Sequence, residues 1–502
     1  MRDISWNHNI LILSEAISKD MTAKSNLSKS FFWSFLEQGG SSLVALITQI
    51  ILARIIAPEA FGVMAILLVI NSVLSTLTQS GFGMALIQKK EATARCFSTA
   101  FWMSIIIAAA LYVIIFLSSP FIAQLYAMPD LEQYIKALMA LLFLDAFNSV
   151  QRAYLQKNLD FKALFNSNFL AILLGSLTGI VLALLGFGVW ALIAQIAAQS
   201  LCACIVMTIQ VPWKPSFDFS KKDARSLFNY GWKICATGIL NTFYTGLSEL
   251  ILGKTTTKTD LGYFSQGRKW PVAAMGAVVN ALQNVLFPVF SDLQNDAAAL
   301  REAVKDALLT GSYITIPVCL LATVIAEPVI VLLLTDIWLP CVPVFQMTCL
   351  GYAFIMPQVV NLRAYMALGD SGLYLKLQII KVVSGALLFC TVALFTENIY
   401  YVAIAVFAHT VFSVIVVDMQ PAKRMHGLGR KEQLLGLLPI VTLSIVSAIF
   451  ASLIPFINTE YILQMILQIV VFCSVYLLGS KVFRIPGGSN CLNAIKNLLN
   501  KQ

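Results

Sequence analysis

Charge is what this chain lacks most. Asp, Glu, Lys and Arg make up only 12 % of its 502 residues, against 59 % hydrophobic ones. A soluble globular domain carries about 25 % charged residues, so a water-soluble globule is excluded. Catalytic signatures are missing as well. The sequence has no H-E-x-x-H, no G-x-S-x-G and no C-x-x-C. Gly253-Lys254-Thr255 mimics the end of a P-loop, but Ser248 occupies the position where the upstream glycine is required. An enzyme is therefore not expected, and neither is an internal ATPase. The ten cysteines are scattered, and Cys235, Cys319, Cys349, Cys390 and Cys473 fall inside apolar runs. Such cysteines read as small packing residues, and no metal site is expected. No cleavable signal peptide is expected either, because the apolar run Ile10 to Leu13 is too short for one.

What the chain has in abundance is apolar runs of membrane-spanning length. About fourteen stretches are long enough to cross a hydrocarbon core of about 30 Å. They are placed at 30–54, 60–80, 97–119, 133–153, 165–186, 188–210, 228–251, 261–289, 306–326, 341–362, 373–395, 398–418, 434–455 and 460–482. The basic residues alternate sides along this series. Arg2, Lys19, Lys24 and Lys29 precede the first span, the next loop is nearly bare, and Lys89, Lys90 and Arg95 fill the one after. The pattern continues through Arg152, Lys157 and Lys162 to Lys214, Lys221, Lys222 and Arg225. About three quarters of the Lys and Arg residues fall on one side, which the positive-inside rule makes cytoplasmic, with both termini inside. The net charge of +9 is mostly this bias, helped by attraction to membrane lipid. It is not a nucleic-acid face, which would cluster its charge.

The expected fold is an all-α integral membrane protein with an internal repeat. Leu52-Ala53-Arg54 leading to Phe61-Gly62 matches Leu252-Gly253-Lys254 leading to Leu261-Gly262, at an offset of 200. Arg152-Ala153-Tyr154 matches Arg363-Ala364-Tyr365, and Trp190 matches Tyr401, both at 211. An even number of spans per repeat puts both halves in from the same side, as in parallel-repeat transporters. The expected organisation is a cytoplasmic tail 1–29, an N-lobe 30–210, a basic cytoplasmic linker 211–227 and a C-lobe 228–418. Two extra C-terminal helices at 434–482 and a cytoplasmic tail 483–502 follow.

Several stretches resemble bacterial polysaccharide flippases. They are Phe31-Phe32-Trp33-Ser34, the run Leu52 to Gly62, Gly81-Phe82-Gly83, and Gly186 to Leu192. In the second half they are Leu286 to Gln294, Glu327-Pro328-Val329-Ile330 and Trp338-Leu339-Pro340. The resemblance covers roughly residues 28 to 430. It implies a lipid-linked oligosaccharide flippase of the multidrug/oligosaccharidyl-lipid/polysaccharide exporter superfamily, on the branch similar to colanic-acid and teichuronic-acid exporters. That implies two six-helix lobes around a cavity, working as a monomer by alternating access in the bacterial plasma (inner) membrane. The implied cargo is an undecaprenyl-pyrophosphate-linked oligosaccharide, moved from inner to outer leaflet, with polymerase machinery as a further partner. The polar extension before Lys29 departs from the pattern and makes Met21 a plausible start.

Ionised side chains at mid-bilayer cost roughly 2.5–3.5 kcal/mol on insertion scales, so those present need a cavity or a partner. A pyrophosphate needs cationic donors, and the candidates are Lys233, Arg268, Lys269, Arg363 and Lys381. Glu37, Asp145, Glu249 and His409 are candidates for coupling to H⁺ or Na⁺, with no other cofactor expected. Asn280, Gln283, Gln358 and Asn361 are sugar-facing candidates. Each has a plainer reading: cations snorkel to headgroups, and amides, carboxylates and a lone His pair between helices. A cation-coupled multidrug exporter and a lipid II flippase of the same superfamily remain alternatives. A membrane glycosyltransferase or polymerase would need a large extracytoplasmic loop that this chain lacks.

Overall fold

A computed structural model describes residues 40–79, 81–89, 91–454, 460–485 and 487–488. Glu37, Met21, the N-terminal tail, most of the C-terminal tail and the beginning of the first expected span lie outside the described residues, as does the side chain of Asn280. Among the described residues every regular element is helical.

The first half runs α1 (Gly40–Ile55), α2 (Pro58–Gln79), α3 (Phe82–Gln88), α4 (Ala94–Leu125), α5 (Leu131–Met139), α6 (Leu142–Lys157), α7 (Phe161–Leu184) and α8 (Val189–Gln210). The second half runs α9 (Lys221–Thr255), α10 (Lys258–Asp292), α11 (Ala297–Val324), α12 (Ala326–Leu333), a 3₁₀ turn (Asp336–Cys341), α13 (Val342–Tyr352), α14 (Ile355–Ala367), α15 (Ser371–Phe395) and α16 (Ile399–Phe412). A π-helical turn, Ser413–Asp418, extends α16, followed by α17 (Ala422–His426), α18 (Arg430–Ser452) and α19 (Tyr461–Val482).

Nine of the described helices are long and apolar enough to cross a membrane, or ten when the pair bent by 41° at Ala353 and Phe354 is counted as one span. The count of fourteen differs for physical reasons. The expected span 133–153 is two helices, α5 and α6, separated at Ala140 and Leu141. The expected spans 228–251 and 261–289 became α9 and α10, each 35 residues long. In α9, Lys233, Asn241 and Glu249 interrupt the apolar stretch, whereas in α10 the charged residues lie outside the apolar stretch 272–289. The described part of the first expected span is the short helix α1.

The described residues divide into two compact units, one comprising those of 40–56 and 70–239, the other those of 57–69 and 240–488. In unit 1, Phe82, Leu86, Cys96, Phe97, Leu164 and Met207 form a buried cluster. Gly175 and Gly179, which read as a close-packing G-x-x-x-G, meet Gln195 and Gln199 of α8 so closely that a Cβ on either would collide. In unit 2, Phe290, Leu300, Leu308, Met356, Val360 and Ile440 centre the core.

The repeat seen in the sequence extends to the backbone. The Ile56 N–H donates to the Leu52 carbonyl at 2.8 Å, and the Thr256 N–H donates to the Leu252 carbonyl at 2.9 Å. Farther on, Asn158, Leu159 and Asp160 donate to Tyr154, Gln156 and Leu155, and Leu368, Gly369 and Asp370 donate to Ala364, Met366 and Tyr365. The offset in that pair of helix ends is 210, one less than the nearby tripeptide match. Leu159 and Gly369 both take positive φ, 56° and 82°. Asp160 and Asp370 then cap the next helices, accepting from the Ala163 and Leu373 N–H groups. The positive φ lets the chain reverse, and the carboxylate satisfies a free amide of the following helix.

Within unit 2 the two repeats also meet. Gly62 in the first turns of α2 faces Lys258, and Gly262 in the first turns of α10 faces Pro58. A Cβ on Gly62 would lie 2.9 Å from the Lys258 carbonyl carbon, and one on Gly262 would lie 2.8 Å from the Pro58 carbonyl carbon. The contact is reciprocal: residue 58 faces 262 and residue 258 faces 62. Thr259 donates to Glu59 across the same seam at 3.4 Å.

Unit 1 carries an ion pair outside its spans. Lys89 Nζ lies 2.5 Å from Asp223 Oδ1. The hydrogen bond from Lys89 holds the Asp223 carboxyl below the usual carboxylate range, and the same bond holds Lys89 above the usual lysine range. A depressed carboxyl contributes stability above its unfolded pKa and loses it as pH falls through the folded value. Asp223→Asn should therefore lower the thermal midpoint at pH 7. It should also flatten the acid-side loss of stability below about pH 4, as read by scanning fluorimetry in detergent across pH. An unchanged acid limb would show that the pair contributes nothing.

Candidate functional site

Among the described residues, two ion pairs inside unit 2, Arg268–Glu249 and Lys381–Asp418, lie along one row of polar groups. α9 contributes Tyr244, Ser248 and Glu249, which follow one another at helical spacing. α10 contributes Arg268, whose Nη1 donates to both Glu249 oxygens at 2.8 Å and to Ser248 Oγ at 2.6 Å. Its Nη2 donates to the Thr245 carbonyl at 3.1 Å. Both charged side chains stay partly open, 19 % exposed for Arg268 and 13 % for Glu249. Lys269 follows on α10 and is exposed.

One turn back along α9, the Tyr244 hydroxyl lies 2.9 Å from His409 Nδ1. His409 Nε2 is 3.0 Å from Ser384 Oγ on α15. Ser413, one turn along from His409, donates to the His409 carbonyl at 2.7 Å. The imidazole is thus bonded at both ring nitrogens and packs on Phe389 and Phe412. That arrangement fits the plain reading of a buried, hydrogen-bonded histidine.

Lys381 lies one turn before Ser384. Its Nζ donates to Asp418 Oδ1 at 3.1 Å and to Oδ2 at 3.3 Å. The side chains are 4 % and 0 % exposed, so the pair is sealed from solvent. Gln358 Nε2 donates to Asp418 Oδ2 at 3.2 Å, and the Tyr365 hydroxyl donates to the Asp418 carbonyl at 2.6 Å. Asp418 closes the π turn, where the Met419 N–H reaches back to Val414. Such turns re-aim side chains and are frequent at functional positions.

The other expected residues stand as follows in this arrangement. Lys381 does not present a free ammonium to a cavity, because Asp418 holds it. Gln358 and Asn361 do not face open space for a sugar. Gln358 serves Asp418, and Asn361 is fully buried, bonded to Pro357, Gln433 and His426. Gln283 accepts from Arg363. Lys233 is exposed on α9 within unit 1, a position that fits snorkelling. Asp145 in unit 1 is bonded to Ser75 and lies near Arg152, while Asn148 of the same helix donates to the Ser200 carbonyl. Asp418, Tyr244, Ser248 and Ser384 were not among the residues expected to matter. Asp418 stands at the end of the expected span 398–418, where a charged residue is ordinary.

A model of the family described as Polysaccharide biosynthesis protein matches residues 51–343. Curated relatives include the succinoglycan biosynthesis transport protein ExoT of Rhizobium meliloti (strain 1021), 24 % identical over 66 % of this chain and 67 % of that protein. The lipopolysaccharide biosynthesis protein WzxC of Escherichia coli (strain K12) is 26 % identical over 61 % of this chain and 63 % of that protein. The teichuronic acid biosynthesis protein TuaB of Bacillus subtilis (strain 168) is 24 % identical over 53 % and 56 %. The chain thus spans two thirds of these relatives at most. Among solved structures, the lipid II flippase MurJ in an inward closed conformation superposes with a TM-score of 0.72 at 15 % identity, covering 90 % of this chain and 98 % of that one. An inward-facing multidrug resistance MATE transporter gives 0.60 at 16 % identity, covering 77 % and 94 %. These two likenesses establish the helical transporter fold. With more than half of its length matched, the chain belongs to the polysaccharide biosynthesis protein family, and its apolar helices make it a multi-pass membrane protein.

Proposed function

We propose that the protein flips undecaprenyl-pyrophosphate-linked oligosaccharide units from the inner to the outer leaflet of the bacterial plasma membrane by alternating access. The family match and the relatives' names support the polysaccharide side of this reading. The observation that carries the cargo's chemistry is Arg268, a partly open guanidinium inside the second unit. An arginine fork suits a pyrophosphate better than a lysine point charge does. Glu249 is its resident counter-ion when no cargo is bound, and the arriving anion competes for the same donors. An anion carrying about two charges would gain about 4–5 kcal/mol moving outward across 100 mV, negative inside. Coupling to H⁺ or Na⁺ through Glu249 or His409 would then be needed mainly to reset the empty carrier. Lys381 leaves the list of anion ligands, and its charge belongs to the unit's interior.

Deleting the gene should abolish one polysaccharide while its lipid-linked repeat accumulates inside the cell. Normal polymer with altered drug sensitivity would instead support a drug exporter, and accumulated lipid II would support the peptidoglycan route. Arg268→Ala at normal membrane levels should lower export about tenfold or more, the worth of a charge-assisted hydrogen bond. Arg268→Lys should recover only part of it. Wild-type export by the alanine variant would remove Arg268 from the site.

A further inference from the structure

The linker between α8 and α9 is built as a fixed strap with one face left bare. Residues 211–220 form no helix, yet their polar atoms are bolted to the first turns of α4. Ser98 Oγ accepts from the Trp213 indole at 3.3 Å and from the Ser216 N–H at 3.2 Å. Thr99 Oγ1 accepts from the Ser220 N–H at 3.1 Å. Arg95 pairs with Asp218 at 3.2 Å and donates to the Phe219 carbonyl at 3.3 Å. The Trp102 indole donates to the Ser216 carbonyl at 2.8 Å and stacks on Phe217 with ring centres 5.1 Å apart.

What the strap turns outward is apolar and cationic. Phe217 is 91 % exposed and Phe219 42 % exposed. Lys214, Lys221, Lys222 and Arg225 flank them, all exposed. The two nearby carboxylates are already engaged, Asp218 with Arg95 and Asp223 with Lys89.

The length of α4 says at what level this face sits. Its 32 residues span about 48 Å, while the hydrocarbon core is about 30 Å thick. About a dozen residues must therefore project into the headgroup layer. The strap packs along Ala94 to Trp102, the arginine-bearing end, and Trp102 stands next to the long apolar stretch of the helix. Tryptophan at that depth marks the headgroup boundary. A bare phenylalanine stacked on it is placed to enter the bilayer, not to face the cytosol.

We propose that the strap 211–222 is an anionic-lipid docking surface: Phe217 and Phe219 seat in the headgroup boundary of the cytoplasmic leaflet, and Lys214, Lys221, Lys222 and Arg225 bind acidic phospholipid headgroups. The inference is independent of the cargo, and it stands whether the protein carries a glycan or a drug. It gives membrane composition a direct hold on the first helical turns of α9.

The test uses the full-length protein reconstituted in vesicles of phosphatidylcholine alone or of phosphatidylcholine and phosphatidylglycerol in equal parts. Amide exchange over 211–225 is read by mass spectrometry. Phosphatidylglycerol should slow that exchange by about fivefold per cation engaged, and high salt should reverse the slowing. The double variant Lys221→Gln/Lys222→Gln should lose most of the difference between vesicles. Phe217→Ser should speed exchange in both. Unchanged exchange at residues 98–102 in each variant would show the strap still seated on α4. Equal exchange of the wild type in the two vesicle types overturns the charge recognition, and a Phe217→Ser variant with wild-type exchange overturns the insertion.

Discussion

Asp418→Ala is expected to destabilise the protein by about 3–5 kcal/mol, the range for breaking a buried ion pair by removing one partner. The reason lies in what would be left behind. Lys381 would keep its ammonium in an environment with almost no solvent contact, and the Gln358 amide would lose its acceptor. Neither group could relax to water without reopening the packing of α14, α15 and α16. Lys381→Ala should cost a comparable amount, because it strands the carboxylate. The double variant Lys381→Met/Asp418→Leu removes both charges and keeps most of the volume. It should recover much of the loss, since apolar replacements of buried pairs are often neutral or stabilising. Denaturant-induced unfolding in detergent, followed for wild type, Lys381→Met, Asp418→Leu and their combination, measures the coupling directly. Additive losses in the double variant would mean that the two side chains act separately. Transport by a stable double variant would then report whether the pair has a role beyond holding the helices.

These pairs show where sequence reading stops. That Lys381, Arg268, Glu249 and His409 were unusual could be read from hydropathy alone, since each interrupts an apolar run. Their partners could not. Asp418 is 37 residues from Lys381, and Arg268 is 19 from Glu249; no periodicity within one helix links them. Part of the signal was present in the spacing. Ser384 follows Lys381 by one turn, Ser413 follows His409 by one turn, and Ser248 follows Tyr244 by one turn. Rows of hydroxyls beside a rare charge mark the polar face of a span and could have been read as such. Asp418 hid because it closes a run where a charged residue is ordinary.

The span list was less legible for a related reason. α9 and α10 were found by length and apolar patches, and α9 is the less apolar of the two because Lys233, Asn241 and Glu249 interrupt it. The break at Ala140–Leu141 has no proline or glycine beside it to read, whereas Pro357 stands four residues after Ala353 and cannot donate to that carbonyl, which is a readable cause for the second break. Their near-equivalent places in the two repeats suggest an inherited architecture rather than a local defect. The repeat itself was legible from three short matches, and the backbone then extended it to helix caps that share no side-chain identity beyond one aspartate.

The seam between α2 and α10 turns the first of those matches into a strong expectation. Gly62→Ala and Gly262→Ala should each destabilise the protein by about 1–3 kcal/mol or more, as overpacking does. In both cases the new methyl meets main chain, not the end of a flexible side chain. The carbonyls of Lys258 and Pro58 cannot turn aside without unwinding the first turn of a helix. Because the contact is reciprocal, either substitution should push the same two helix starts apart, and the double variant should cost less than the sum of the singles. Gly276→Ala on α10 is the control. A Cβ there meets no described atom within 4 Å, and removing a helical glycine should stabilise by about 0.5–1 kcal/mol. Thermal midpoints of the three single variants and the Gly62→Ala/Gly262→Ala pair decide it. If the seam glycines behave like Gly276, the two helix starts are not in van der Waals contact and the close reciprocal packing is wrong. If they destabilise and the pair is sub-additive, the repeat's matched glycines are explained by the space each half requires from the other.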